Sequence, residues 1–487
     1  MSIISRLGNK LKFEFTARIV AVLSGGILTV ALARLLRPSE YGLLFLTLAI
    51  LNISITFSRL GIGKSTSRYI SEYREMDPGQ IPYILRFGFL FTLLMISIVC
   101  VILLVVHKTI ADLVSEPNLN RFLLFGTAFI AFSTLVSFVR FSLQGFEDIK
   151  GSSIIFLIDR GGRTVFALGL VLIGLGATGA LAGYIIASVI SSIIGIIYIY
   201  KSHYFESIQE RIEPQLRKRI TEYSFPLVVS SAARSIDNRI DIFLVGFFIN
   251  PTAVAYYTIS KQLIDFIQVP ISSLTFTFSP AIKSEMTKGN LDSAANMYEE
   301  ALSYTLLLYV PAAAGLIILS EPIIRVFFGK QYLEAVPVLQ ALSVYAVLLS
   351  ISVLTGNSLD FIGRARERAI IKGITSVANA VLNVLLLPRM GVFGAAIATV
   401  ITHSIFTVST IYYMSLEIQV RKLWLFRYST AVVAITTVMS IVVYLLSKYI
   451  SNMISLIAIV GVGVITWTFL SVTAGLVDVD EVSQIVQ

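Results

Sequence analysis

The sequence predicts an all-α polytopic membrane protein with about 14 transmembrane helices. Of its 487 residues, 56% are hydrophobic and 14% are charged, and the mean hydropathy is +0.84, which no soluble domain of this size approaches. Apolar runs close to 20 residues long recur along the chain, and this is the length of a membrane-spanning helix. The runs are continuous rather than alternating, which excludes an outer-membrane β-barrel.

Helix-length apolar segments follow one another through the chain. The first six lie at about 15–35, 41–63, 83–106, 120–143, 153–175 and 178–200. The next six lie at about 223–249, 253–280, 297–320, 333–356, 367–388 and 391–413, and the last two at about 424–446 and 452–475.

Basic residues in alternate loops predict the orientation. Lys and Arg on one side of the predicted spans outnumber those on the other by more than two to one, and such an excess marks the cytoplasmic side. An even number of spans then places both termini in the cytoplasm, in a cell membrane. The formal net charge of +9 is explained by this bias, so nucleic acid is not an expected partner.

An internal repeat predicts how the helices are grouped. GATGA at Gly176–Ala180 recurs as GVFGA at Gly391–Ala395, and the turn at Pro38 recurs at Pro251, with nearly the same offset. We therefore expect two six-helix lobes related by a pseudo-two-fold axis along the membrane normal, followed by two further helices. The expected boundaries are an N-lobe (1–200), a cytoplasmic linker (201–222), a C-lobe (223–413), and two helices with a cytoplasmic tail (414–487).

The seventh segment is unusually polar. In Ser230–Asp241 (SSAARSIDNRID), helical periodicity places Arg234, Asp237 and Asp241 within one narrow arc, with Arg239 outside it. Charge in hydrocarbon is costly, so this face is expected to meet a wet cavity or partner charges. The alternative is an interfacial amphipathic helix, which would leave thirteen spans and an outside C-terminus.

Other segments carry charges at membrane depth. Lys261 and Asp265 are four residues apart in the eighth segment, Arg18 follows Glu14 in the first, and Arg59 lies in the second. The fifth segment carries Asp159, Arg160 and Arg163. These charges predict a basic cavity open to the cytoplasm, although helix-end snorkelling and internal ion pairs are alternatives.

The chemistry of these charges suggests an anionic ligand. The planar fork of arginine fits phosphate or pyrophosphate oxygens. Asp237, Asp241 and Asp265 would then either orient the cations or couple transport to an ion, H⁺ or Na⁺. No catalytic or metal site and no cofactor are expected: the three histidines are scattered, a Walker-type loop is absent, and Cys100 is the single cysteine.

Several motifs resemble a known family. The chain is similar over essentially its full length to the polysaccharide and oligosaccharide flippases of the multidrug/oligosaccharidyl-lipid/polysaccharide (MOP) exporter superfamily. The motifs are RLLRPSEYG (Arg34–Gly42), GIGKSTSRYISEY (Gly61–Tyr73), IDIFLVGFFINPTAVAYYTISKQL (Ile240–Leu263), FSPAIKSEM (Phe278–Met286) and VLNVLLLPRMGVFGAAIATVI (Val381–Ile401).

The resemblance implies a non-catalytic transporter that moves a glycan on a polyprenyl pyrophosphate or dolichyl phosphate carrier to the outer leaflet by alternating access. It implies a central cavity whose substrate-binding cations here are Arg18, Arg59, Arg234 and Lys261. Membrane lipids and other glycan-assembly proteins are the further partners, and a monomer is expected. The alternatives are an ion-coupled drug or metabolite antiporter, and, ranked last, a membrane-embedded glycan polymerase or ligase.

Overall fold

A computed structural model describes residues 3–203 and 213–476, and within these ranges the regular structure is entirely helical. The helices of the first half are α1 (Ile3–Leu35), α2 (Pro38–Arg59), α3 (Ile62–Met76), α4 (Ile81–Leu113), α5 (Pro117–Gly145), α6 (Ile149–Leu170), α7 (Gly176–His203) and α8 (Leu216–Phe248). The helices of the second half are α9 (Pro251–Ile267), α10 (Val269–Thr287), α11 (Leu291–Ile323), α12 (Val336–Ile362), α13 (Ala365–Met390), α14 (Val392–Glu417), α15 (Lys422–Ser447) and α16 (Met453–Thr473).

Every predicted apolar segment coincides with helix, which confirms the all-α membrane fold class. Eleven helical stretches within the described ranges are long and apolar enough to cross a membrane. One of them, 54 residues long (Ile149–Ser202), is interrupted at Gly174 and therefore contains two helices. The remaining predicted spans, α8 and α9–α10, are not among these stretches, so the count of fourteen stays a prediction.

The predicted eighth span is two helices rather than one. Gln268 follows the end of α9, and α10 begins at Val269 with Pro270 in its first turn. Proline lacks an N–H and disfavours helical backbone in the residue before it, so it ends α9 and begins a new helix. The side chain of Gln268 donates to the carbonyl of Ala346 at 2.7 Å, which ties this break to α12.

The sequence repeat has a counterpart in backbone conformation. Gly176 has φ 53° and ψ −146°, and Gly391, its repeat partner, has φ 61° and ψ −150°. A residue with a Cβ rarely adopts this conformation, so glycine is required at both positions. Gly176 is the first residue of α7, and Gly391 immediately precedes α14. Each glycine therefore lies at the turn of a tight helical hairpin. The repeated motif thus encodes the same turn twice.

The helices form two compact units, Met1–Ala255 and Tyr256–Gln487. In the first unit, α7 packs on α6 and α5, and α8 packs on α2 and α3. Leu216 and Ile220, at the start of α8, are buried with Tyr69 and Tyr73 of α3 in one hydrophobic cluster. The start of α8 is therefore part of the core of the first unit, and the lobe boundaries derived from the repeat remain a prediction.

Polar contacts reinforce the attachment of α8 to α3. Arg219 of α8 donates to the carboxylates of Glu72 at 3.2 Å and Glu213 at 2.9 Å. The hydroxyl of Tyr73 donates to the same Glu213 carboxylate, and the main-chain N–H of Glu213 donates to Gln80 at 3.2 Å. We call Glu72, Tyr73, Gln80, Glu213 and Arg219 the linker clasp, because it joins the end of the 201–222 linker to α3. Residues 204–212 of that linker lie outside the described ranges.

In the second unit, one ion pair fastens α15 to α11. The side chain of Glu299 is 1% exposed. It accepts from the main-chain N–H of Arg421 at 2.5 Å, from its Nε at 2.8 Å and from its Nη2 at 2.5 Å. A carboxylate this deeply buried is stable only with such donors. The carboxylate also raises the pKa of the Arg421 guanidinium.

We expect Glu299→Ala to lower the melting temperature of the purified protein by several degrees, because the variant loses three charge-assisted hydrogen bonds and leaves a cavity. Glu299→Gln keeps an acceptor oxygen, so its melting temperature should fall by less. Thermal unfolding in lipid nanodiscs measures both. Equal melting temperatures for wild type and Glu299→Ala would show that the pair does not stabilise the unit.

Candidate functional site

A polar cavity of about 440 Å³ lies inside the first unit, beside the break between α2 and α3. At this break Leu60 has φ 40° and Gly61 has φ 67°, and both values are left-handed. Glycine accepts this conformation readily, whereas leucine adopts it at a cost of about 1–2 kcal/mol. The break places Arg59, at the end of α2, and Lys64, in the first turn of α3, on the same cavity wall.

Five helices line the cavity. The residues from α2, the break and α3 are Asn52, Ile55, Thr56, Arg59, Gly61, Ile62, Gly63 and Lys64. Those from α4 and α5 are Thr92, Thr134, Ser137, Phe138 and Phe141, and those from α8 are Ser231, Ser235, Asn238 and Arg239. The lining thus has three cations and many hydroxyl or amide groups, and none of its described residues is a carboxylate.

Hydrogen bonds between helices hold the wall in place. Thr56 of α2 donates to the hydroxyl of Ser235 on α8 at 2.9 Å. Ser58 of α2 shares a hydrogen bond with Thr134 of α5 at 2.5 Å. These contacts fix the polar faces of α2, α5 and α8 toward one another within the first unit.

The cations of the cavity favour an anion of more than one charge. The side chains of Arg59 and Lys64 are exposed to the cavity, and that of Arg239 is half-buried. An oxyanion placed between them can form charge-assisted hydrogen bonds, which are roughly twice as strong as neutral ones. The neighbouring hydroxyls and amides can exchange hydrogen bonds with a polyhydroxylated group. The cavity can therefore hold a phosphate together with an attached sugar.

The structure places the predicted residues in different surroundings. Arg59 lines the cavity. Arg18 lies on α1 with its side chain 70% exposed, paired with Glu14 at 2.9 Å. Lys261, on α9 in the second unit, has its ammonium 5.9 Å from the ring centre of Tyr257. The side chain of Arg234 lies outside the described residues.

The predicted carboxylates do not line the cavity. Asp241 is buried at 4% exposure and Asp237 is half-buried, both on α8. Asp265 is exposed on α9. Their roles as coupling or orienting groups remain predictions.

Sequence reasoning missed two of the three cavity cations. Arg239 was placed outside the charged arc of α8, yet the cavity is lined by a different face, with Ser231, Ser235, Asn238 and Arg239 at helical spacing. Lys64 lies one residue beyond the predicted second segment (41–63), so the sequence gives no reason to place it at the cavity. A signal for the break was present: Gly61 begins the motif that carries Lys64, and glycine is a common helix terminator.

Comparison with known protein families identifies the family of this chain. A family model described as "Polysaccharide biosynthesis protein" matches residues 31–337, which is more than half of the chain. The chain belongs to this family.

Two relatives of this family member are named flippases in Haloferax volcanii. The "Probable low-salt glycan biosynthesis flippase Agl15" is 26% identical over 212 residues, which is 44% of each chain. The match therefore spans less than half of that relative's length. The "Probable flippase AglR" is 22% identical over 412 residues, which is 82% of each chain.

A solved structure shares the fold of this polysaccharide biosynthesis protein. The structure titled "Lipid II flippase MurJ, inward closed conformation" superposes with a TM-score of 0.74 over 95% of this chain and 97% of the other. At 18% identity, this likeness establishes the fold and not the substrate.

Lys64→Gln should weaken binding of inorganic pyrophosphate to the purified protein by about tenfold or more, because a charge-assisted hydrogen bond contributes about 1.5–3 kcal/mol. Calorimetric titration in lipid nanodiscs measures the change. Lys150→Gln, which removes an exposed cation outside the cavity lining, is the matched control and should bind like wild type. Equal losses in both variants would indicate general charge attraction instead of a site.

Proposed function

We propose that the protein flips a lipid-linked oligosaccharide or polysaccharide precursor from the cytoplasmic to the outer leaflet by alternating access. The observation that carries this function is the cavity lining, with Arg59, Lys64 and Arg239 beside hydroxyl and amide groups and no described carboxylate. Family membership and the flippase names of two relatives support the same assignment.

In this proposal the cavity neutralises the most costly part of the cargo. A phosphate or pyrophosphate linking group cannot cross hydrocarbon unaided, because an unpaired ion there is strongly destabilised. Arg59, Lys64 and Arg239 replace its hydration with hydrogen bonds. Asn52, Thr56, Ser235 and Asn238 exchange hydrogen bonds with sugar hydroxyls, while the apolar tail of the carrier remains in the lipid.

The proposal also includes the carrier lipid, the oligomeric state and the location of the protein. The carrier is a polyprenyl pyrophosphate or a dolichyl phosphate, and the protein acts as a monomer in the cell membrane with both termini cytoplasmic. It performs no covalent chemistry and requires no cofactor. Other glycan-assembly proteins supply the loaded carrier and use the flipped product.

Leaflet-resolved labelling tests the function. In a strain that lacks the protein, lipid-linked glycan should accumulate on the cytoplasmic face, and the intact gene should restore its appearance on the outer face. Arg59→Gln should reduce this restoration about tenfold or more, because it removes the phosphate-facing charge. Arg59→Lys keeps the charge without the bidentate fork, so its restoration of outward labelling should lie between that of wild type and that of Arg59→Gln. Normal outward labelling in the deletion strain would rule the proposal out.

The antiporter alternative makes a different prediction. If Asp237, Asp241 or Asp265 couples cation efflux to H⁺ or Na⁺, its change to Asn should abolish ion-driven efflux from loaded vesicles. The flippase proposal expects no organic-cation efflux from wild-type vesicles at all. Efflux that is sensitive to one of these changes would favour the antiporter.

A further inference from the structure

A second group of arginines lies in the first unit, outside the cavity lining. Arg140 of α5 and Arg160 of α6 both stack on the ring of Phe156, with guanidinium carbons 4.2 and 5.6 Å from its centre. Arg160 is exposed and Arg140 is half-buried. We call Arg140, Phe156 and Arg160 the arginine bracket.

The carboxylates near the arginine bracket already have partners. Asp159, 6% exposed, pairs with Arg163 at 2.8 Å and accepts from Ser188 at 3.1 Å. Glu14 pairs with Arg18 at 2.9 Å. Among residues 3–203 and 213–476, no carboxylate lies within ion-pair distance of Arg140 or Arg160. Their charges are therefore not neutralised by the described part of the chain.

The electrostatic balance of this region is strongly positive. The charges that act on one another here are five guanidiniums (Arg18, Arg59, Arg140, Arg160 and Arg163) and two carboxylates (Glu14 and Asp159). Five cations and two anions leave an excess of three. Arg59 accounts for one of them, because it faces the cavity. The other two belong to the bracket.

The hydrogen-bonding state of the bracket points to an absent acceptor. Within the described ranges, the buried Nε of Arg140 has no hydrogen-bond partner, and a buried polar atom in that state is costly. Both guanidiniums lie over the ring of Phe156, and an arginine packed on an aromatic face can still donate through its in-plane N–H groups. In-plane N–H groups are the donors that a carboxylate or sulfate accepts in a bidentate manner.

We infer that the arginine bracket binds a carboxylate or sulfate carried by a sugar of the cargo, so that the protein selects acidic glycans. This inference rests on the proposed function, which assigns the linking phosphate to Arg59, Lys64 and Arg239. Arg59 lines the cavity and interacts electrostatically with Arg140 of the bracket, so the two groups of cations act on one another. One cargo molecule with a linking phosphate and an acidic sugar would engage both.

Ligand-dependent melting of the purified full-length chain tests the inference, in nanodiscs of phosphatidylcholine so that no anionic headgroup competes. The probes are methyl β-D-glucuronide, methyl β-D-glucoside, sodium acetate and inorganic pyrophosphate at matched ionic strength. The glucuronide should raise the melting temperature more than acetate does, and the glucoside should leave it unchanged. Equal effects of the glucuronide and acetate, or of the glucuronide and glucoside, would overturn the assignment.

Variants locate the effect. Arg140→Gln and Arg160→Gln should each raise the half-saturating glucuronide concentration at least tenfold, and Arg160→Lys should raise it less. Arg121→Gln is the matched control and should bind like wild type. Arg121 is an exposed arginine of α5 whose guanidinium lies 6.0 Å from the ring centre of Phe125. Unchanged glucuronide binding in Arg140→Gln and Arg160→Gln would place the ligand elsewhere and refute the inference.

The same measurements separate this inference from the flippase proposal. Lys64→Gln should weaken pyrophosphate binding and leave glucuronide binding intact. Glycan translocation in the leaflet assay without a glucuronide effect would keep the flippase and remove the acidic-sugar site. Glucuronide binding that depends on Arg160, in a protein whose deletion leaves outward labelling normal, would keep the site and remove the flippase.

Discussion

The cost of an unpaired charge inside a membrane is the constraint on which the rest of this structure depends. A polytopic chain with this composition can keep an ionised side chain at depth only by neutralising it, wetting it or carrying it to the interface. The protein neutralises some of its charges internally, as in Asp159–Arg163 and Glu299–Arg421. Others, such as Arg59 and Lys64, line a polar cavity, where the proposed function assigns them to an anion.

Helix breaks determine where those charges can gather. A straight α2–α3 helix would separate Arg59 and Lys64 by more than a full turn and point them in different directions. The left-handed residues Leu60 and Gly61 reorient the chain, so that both cations share one wall. Gly176 and Gly391 serve a different purpose, because they close two helical hairpins with the same backbone geometry. Local conformation thus positions both the scaffold and the site.

Much of the fold could be predicted from the sequence, because membrane-spanning segments are encoded in composition over about 20 residues. The position of Arg59 followed from charge at depth. Arg239 and Lys64 were missed because helical periodicity identifies the faces of α8 without showing which of them meets α2, and because a bend at Leu60–Gly61 depends on tertiary packing. The arginine bracket could not be predicted from the sequence either. Arg140 and Arg160 are on different helices, and residue spacing does not encode their shared contact with Phe156.

The linker clasp has a mechanical consequence for α8. Arg219, in the clasp, and Arg239, in the cavity, lie 20 residues apart on the same helix, a separation of about 30 Å along its axis. The clasp holds one end of this helix against α3, and Thr56 holds its middle through Ser235. A displacement of the 201–222 linker would therefore be transmitted along α8. Contacts made by the linker are thus connected through one helix to Arg239 in the cavity.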